Sequence, residues 1–466
     1  MRDVIVIGGG IAGLSCALRL RAAGLDALLL EAQTTAGGNI QTSEIDGFRF
    51  ERGPHTFMPS ADDIFALAAE AGISDQIVAS SPAAHRRFIV RNGRLHLVPT
   101  GPWSFVTSDL ISLRGKLRLM SEPFRTGERG ALTDSATTFF ARRFGDEGAR
   151  VLAGAFISGV YAGDPATLSA PAAFPLFWRF EQERGSMIRG AMAHGKQRKR
   201  QREELAKKAG QALAPRPSGL CTFARGLGQL TSTLALRLGD RCRTGVAVRG
   251  VERSNGTFAV SVEGEVLPAQ RVVVATPPGA AAQILRSTDA ALADLVTGIP
   301  LAPMTVVHLG FRQRQPGVPD GFGFLAPRNE GVRSLGILFP SRLFSERAPA
   351  AGELLTGFVG GMTDTQALAL EDVEIERIVR DDLKQLCGVD AAPDFVRVLR
   401  YQGAIPQFVL GHLDRMEQIR GRLATLPGLH LAGNYLRGVG MKDAVASGFE
   451  TAAAIVEQRA SAGRPS

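Results

Sequence analysis

Val4-Ile5-Val6-Ile7-Gly8-Gly9-Gly10-Ile11-Ala12-Gly13-Leu14-Ser15-Cys16-Ala17-Leu18-Arg19-Leu20 decides the fold of this chain. The apolar, β-branched run Val4 to Ile7 suits a strand buried on both faces. A G-x-G-x-x-G loop follows at once, then a helical pattern closed by Gly24, then a second apolar run, Ala27 to Leu30, ending on Glu31. Strand, glycine loop, helix, strand and acid in that order make a dinucleotide-binding βαβ unit. Gly8 permits the tight turn, Gly10 lets the backbone reach a pyrophosphate, and Gly13 lets the helix lie close on the sheet. The free amides at the helix start offer positive charge to phosphates. Glu31, 23 residues after Gly8, is placed to accept hydrogen bonds from a ribose.

The fingerprint alone does not choose between NAD and FAD; the segments further out do. Gly37-Gly38, directly after Glu31, lets the chain pass close to a dinucleotide, and Gly53-Pro54-His55-Thr56 supplies another tight turn. A strand at 271–275 ends in Thr276-Pro277-Pro278, and a strand at 429–432 opens through Gly433-Asn434 into Gly438-Val439-Gly440-Met441 and a helix. That late loop aims a second helix N-terminus at a ligand, which suits the pyrimidine edge of a flavin. Distant stretches converging on one extended ligand point to FAD. No second G-x-G-x-x-G follows a strand. A separate NAD(P)H domain is therefore not expected, and the electron acceptor is expected to be oxygen or a quinone.

The 466 residues suffice for two or three domains, and 45% hydrophobic against 21% charged residues is a globular composition. A net charge of +9 favours anionic partners. With only 6% aromatics, a base-stacking nucleic-acid surface is not expected. Cys16, Cys221, Cys242 and Cys387 form no C-x-x-C and lie at no zinc-ligand spacing, so neither a metal site nor a disulfide framework is expected, and a reducing, cytoplasmic compartment fits best. No apolar run reaches the ~18 residues of a spanning helix. Met1-Arg2-Asp3 runs straight into a strand, which argues against a signal peptide. The seven histidines are scattered and read as packed or surface residues. Residues 195–208 carry seven positive and two negative charges. A solvated segment is the plain reading; attraction to anionic lipid is the sharper one and places the protein peripherally on the cytoplasmic face of a membrane.

The expected architecture is α/β. A discontinuous Rossmann-type FAD-binding domain spans 1–75, 217–285 and 400–466. Residues 80–215 form a mainly helical membrane-side domain, supported by the spacing of Phe139, Phe140, Phe144, Val151 and Leu152. Residues 286–399 form an α+β substrate-binding domain, with strand-like runs from Met304 to Phe311 and Leu354 to Val359.

Ser158-Gly159-Val160-Tyr161-Ala162-Gly163-Asp164-Pro165-Ala166-Thr167-Leu168-Ser169, continuing through Ala173-Phe174-Pro175, resembles a stretch characteristic of one enzyme family. So do Arg87 to Val90, Gly336 to Phe339 with Arg347-Ala348-Pro349, Phe358 to Gly361, Ala404 to Gln407 and Ala432 to Tyr435. By these motifs the chain resembles the amine-oxidase-like FAD superfamily and, within it, is similar to the oxygen-dependent protoporphyrinogen oxidases over nearly its whole length. The resemblance implies that Gly8, Gly10, Gly13, Glu31, Gly37, Gly38, Val248, Asn434, Gly440 and Met441 hold FAD, and Gly53, Pro54, His55, Thr56, Thr276 and Gly433 on the converging segments are expected to join them. It implies that Arg87 faces a substrate propionate, that Leu325 and Leu338 sandwich one pyrrole ring, that Phe358 stacks on another, and that Gly159 brings its backbone to the reacting ring system. Arg86 is the neighbouring alternative to Arg87. Asn39 stands where the superfamily often has Arg, which weakens one phosphate contact.

The implied reaction removes six electrons from a porphyrinogen in three flavin cycles, with oxygen reduced to hydrogen peroxide. It needs no acid–base triad and no metal, and we assign none. Coproporphyrinogen III, with four carboxylates instead of two, is the close alternative substrate. An amine oxidase of the same fold is opposed by Ala432 to Tyr435 and Tyr161 to Pro165. A flavin-free prenyl-protein escort of the GDP-dissociation-inhibitor type is opposed by the intact Gly8, Gly10, Gly13 and Glu31 set. Association as a homodimer is an expectation that no particular residue carries.

Overall fold

The computed structural model describes residues 1–125, 127, 129–208 and 216–462. The opening run forms strand β1 (Arg2–Ile7), helix α1 (Ile11–Ala22) and strand β2 (Ala27–Leu30), as the sequence pattern predicts. β1 lies between β2 and the strand Glu265–Val274, parallel to both, and Leu429–Leu431 adds a further parallel strand. The hairpin Gly250–Ser254 and Thr257–Val262 extends one side and Cys242–Arg243 the other, giving seven strands. Alternate residues feed two cores. Val4, Val6 and Leu29 face α1 and the C-terminal helix Met441–Ala462. Ile5, Ile7, Leu28 and Leu30 face the other layer. Val4, Ile5 and Val6 are wholly buried; each such side chain contributes ~1.5–3 kcal/mol of transfer free energy.

A second seven-stranded sheet runs in the order Phe395–Pro406, Leu301–Phe311, Glu353–Gly360, Gly336–Leu338, Gly323–Leu325, Arg87–Arg91, Arg94–Leu97. All its pairings are antiparallel except that of Gly323–Leu325 with Arg87–Arg91. This pairing moves two expected boundaries. Residues 87–97 lie within the stretch expected to be mainly helical, yet they finish this sheet, because Phe88 and Val90 belong to its core. The strand Phe395–Pro406 crosses the expected boundary at 400, because it pairs with Leu301–Phe311 along its whole length.

The described part of 102–208 forms helices joined by loops. Phe139, Phe140, Ile157, Tyr161 and Phe174 form its centre. A buried polar node ties it together: Arg143 Nε donates to Glu181 Oε1 at 2.5 Å, and Glu122 accepts the amides of Met187 and Ile188 at the start of the helix Met187–Lys208. Of the basic stretch 195–208, the side chains of 199, 201–203 and 205–208 lie outside the described residues; Lys196, Arg198 and Arg200 are exposed.

Candidate active site

The glycine loop folds back on itself. A Cβ on Gly13 would sit 2.0 Å from the Gly8 carbonyl oxygen, so only glycine allows α1 this close to β1. Gly8 adopts φ +108 with Ala275 and Thr276 against it. Gly10 is different: a Cβ there would meet nothing within 4 Å, which leaves room in front of the loop. Gly37 donates its amide to Gly9 O at 2.8 Å, and a Cβ on Gly38 would meet Gly10 Cα at 3.3 Å, so the doublet lies against the fingerprint. Glu31 accepts the amides of Gly9 at 2.6 Å and Gln33 at 2.7 Å, which holds the acid beside the loop. The Glu31 carbonyl accepts the amide of Val246 at 2.9 Å, and half-buried Val248 follows two residues on. The Thr276 hydroxyl oxygen is buried with no partner.

The late loop closes on the same core, since Ile11, Ala12, Ala432, Met441 and Ala444 share one cluster. Gly433 donates its amide to Ser447 Oγ at 3.0 Å, and the Asn434 side chain donates to Val439 O at 3.3 Å. Asp443 Oδ2 accepts the Gly440 amide at 3.0 Å, so the start of the Met441–Ala462 helix already has one anionic cap. Gly53 touches Asn39, whose carbonyl oxygen would lie 2.2 Å from a Cβ there. The open cradle at Gly10, the uncapped start of α1 and the orphaned Thr276 hydroxyl fit a dinucleotide pyrophosphate.

The segment 53–56 leads to the second sheet. The His55 ring meets Phe358 edge-on at 5.7 Å and His308 at 6.3 Å. Burial, assisted by Arg347, lowers the His55 pKa to about 3, so the imidazole is neutral. Arg347 pairs with Glu51 at 2.7 Å, and both are buried. Glu51, His55, Leu338, Phe344, Arg347 and Thr356 line a small cavity between the hairpin Thr42–Ile45/Phe48–Glu51 and the second sheet. The Arg347–Glu51 pair was not legible as such, because its members lie 296 residues apart.

Register explains the rest. Phe88, Phe324, Ile337, Gly357 and Val307 share one row. Four of them join Ile375, Val379 and Leu383 of the helix Asp372–Cys387 in one core, with Gly357 directly against Val379. Alternate residues face the opposite way. Arg87, Gly323, Leu338 and Thr356 form one row there, and Ile89, Leu325, Gly336 and Phe358 another. Arg87, Leu325, Leu338 and Phe358 thus share a face. Arg86 lies over Phe88 of the opposite face, which separates it from its neighbour. Gly323–Leu325, Gly336–Leu338 and Glu353–Gly360 are buried at every position but one each: Leu325, Leu338 and Phe358. The helix Gly154–Tyr161 crosses this face, and a Cβ on exposed Gly159 would lie 2.4 Å from Leu325 Cδ2.

A latch that had no assigned role in the sequence holds that helix. It ends at Ala162, in the left-handed conformation at φ 47, whose carbonyl accepts the Met362 amide at 2.8 Å. Buried Gln407 donates to Tyr161 O at 2.8 Å, and Ser169 N donates to Phe408 O at 2.8 Å. Among the described residues no cluster of metal-binding side chains occurs.

Rice (Oryza sativa subsp. japonica) chloroplastic protoporphyrinogen oxidase is 35% identical over 97% of this chain and 88% of its own length. Coproporphyrinogen III oxidase of Bacillus subtilis (strain 168) is 28% identical over 96% of both chains. A crystal structure from Exiguobacterium sp. 255-15, provisionally named as a protoporphyrinogen oxidase, shares the fold with a TM-score of 0.82 at 24% identity, covering 98% of this chain and 99% of the other. The family model of flavin-containing amine oxidoreductases matches residues 11–456. The protein is therefore an FAD-dependent oxidoreductase of the flavin-containing amine oxidoreductase family.

Proposed function

We propose that the protein oxidises protoporphyrinogen IX to protoporphyrin IX. One observation carries the reading: the only incompletely buried residues of three neighbouring strands, Leu325, Leu338 and Phe358, lie on one face of the second sheet, with Arg87 at its edge and Gly159 opposite. An apolar face with a cation, Arg87, at its rim suits a flat, greasy macrocycle carrying carboxylates. Bound FAD supplies two-electron hydride acceptance, so six electrons require three rounds, each closed by oxygen with hydrogen peroxide formed. The chain's own residues do the positioning. Leu325 and Leu338 hold one pyrrole, Phe358 another, and the Arg87 guanidinium takes a propionate as a two-pronged donor. Neutral His55 beneath Phe358 adds no charge to the slot floor. Anaerobic mixing with protoporphyrinogen IX tests the reading: the visible flavin band bleaches, and an unbleached flavin overturns it.

The same reading includes attachment to one membrane face, carried by a surface other than 195–208. Leu113, Leu117 and Met120 are 72%, 60% and 54% exposed on one side of the helix Leu113–Met120, and Trp103 and Phe124 are each 79% exposed nearby in sequence. Arg114 and Arg125 are exposed among them. Apolar side chains with interspersed cations suit the headgroup boundary of an anionic bilayer. No helix among the described residues is long and apolar enough to cross a membrane. Leu113→Ser/Leu117→Ser is expected to lose co-sedimentation with vesicles containing phosphatidylserine, while charge reversal across 195–208 retains most of it; the opposite pattern would return the anchor to 195–208.

A further inference from the structure

Arg328 follows Leu325 by three residues, just past the end of its strand. It is half-buried, and its described partner is a carbonyl: Nη2 donates to Gly360 O at 2.9 Å, two residues beyond Phe358. No carboxylate among the described residues lies within ion-pair distance of it. The nearest acid in its surroundings, Asp364, is held by Arg333 through two bonds, Nε to Oδ2 at 2.9 Å and Nη2 to Oδ1 at 3.2 Å. A half-buried guanidinium without a counter-ion is costly to keep charged. Burial and the nearby Arg333 both act against its charge, opposed by Asp364.

Its place in the sheet matters more. Arg87 stands in the row of Thr356. Arg328 bonds to Gly360, four residues further along the same strand, a span of ~13 Å. Leu338 shares the row of Arg87, and Leu325 and Phe358 occupy the next row toward Gly360. Two guanidiniums that form no ion pair among the described residues, Arg87 over the Phe322 ring and Arg328 on Gly360 O, therefore flank the apolar stripe from opposite ends.

We propose that Arg328 is a second carboxylate-binding residue, which takes the propionate on the macrocycle edge opposite the one held by Arg87. This deepens the porphyrinogen-oxidase reading and rests on it. Protoporphyrinogen IX carries its two propionates on neighbouring rings, at one edge. Coproporphyrinogen III carries one on every ring. An anchor at the far end thus distinguishes the two and lets this slot accept the tetracarboxylate as well.

The test compares kcat/KM for coproporphyrinogen III and protoporphyrinogen IX in the holoenzyme and in Arg328→Gln, Arg328→Lys and Arg87→Gln. Arg328→Gln is expected to lower the coproporphyrinogen-to-protoporphyrinogen ratio about tenfold through KM, with Arg328→Lys recovering part of it. Arg87→Gln is expected to lower both values and leave the ratio within about twofold. A ratio unchanged in Arg328→Gln, or a wild-type enzyme that turns over protoporphyrinogen IX alone, overturns the anchor and leaves the oxidase reading standing. Flavin reduced by neither porphyrinogen removes the oxidase reading itself, and the anchor with it. Equal thermal midpoints and flavin content among the variants separate a lost contact from a lost fold.

Discussion

At the residue scale, two glycines of one motif serve unlike ends. Gly13 is required by the protein itself, since any Cβ would collide with the Gly8 carbonyl. Gly10 has φ −66 and open space, so alanine fits there when no ligand is bound. Gly13→Ala is therefore expected to lower stability by ~1–3 kcal/mol in urea unfolding of the apoprotein. Gly10→Ala is expected to leave the apoprotein within ~0.5 kcal/mol of wild type and to weaken FAD binding at least tenfold, measured by fluorescence titration. Equal losses of apoprotein stability would refute the distinction. Both glycines were legible from spacing alone, because the fingerprint is local. The choice of Arg87 over Arg86 was not, because one residue of strand register reverses which face a side chain takes.

At the element scale, burial periodicity and pairing decide which residues share the face of the proposed slot. Leu325, Leu338 and Phe358 are apolar residues in apolar strands, and nothing in their own sequence separates them from core. They share one face only because the strands Gly323–Leu325, Gly336–Leu338 and Glu353–Gly360 pair in a register that brings them there. Gly159→Leu should push the Leu325 side chain into that space and raise KM for protoporphyrinogen IX several-fold, with flavin content unchanged; an unaltered KM would mean that the Gly154–Tyr161 helix does not bound the slot. The contact between the two-stranded hairpin Thr42–Ile45/Phe48–Glu51 and the turn Ser345–Arg347 centres on Glu51 and Arg347. Removing the cation strands a buried carboxylate, so Arg347→Met is expected to cost ~3–5 kcal/mol, read from chemical denaturation. A loss below ~1 kcal/mol would show the pair to be peripheral to stability.

At the scale of the whole molecule, buried imidazoles set a pH limit. Burial lowers the pKa of His412 and His430 to about 4 each, helped by Arg415 and Arg271 respectively, and that of His55 to about 3. An unfolded histidine titrates near 6.5. Between that value and the folded one the unfolded chain binds more protons, so stability is full above about pH 6.5 and falls as pH drops toward 4. Each such histidine costs up to ~1.4 kcal/mol per pH unit within the window. The thermal midpoint should fall steadily from pH 7 to pH 5, and His412→Gln should flatten the slope; a midpoint independent of pH over that range would refute the coupling.

The sequence by itself determined the βαβ unit, the cofactor class and the apolar character of the substrate strands. The first and last rest on interactions between near neighbours, a tight turn, a helix start and a period of two; the cofactor class rests on several such local glycine turns recurring along the chain. Tertiary structure alone decided that residues 87–97 and 395–406 complete the second sheet, that Glu51 meets Arg347, and that Arg87, Leu325, Leu338 and Phe358 share one face. Those outcomes depend on hydrogen-bond register between segments far apart in the chain. Register is fixed by the summed packing of both sheet faces, and no local stretch carries that sum.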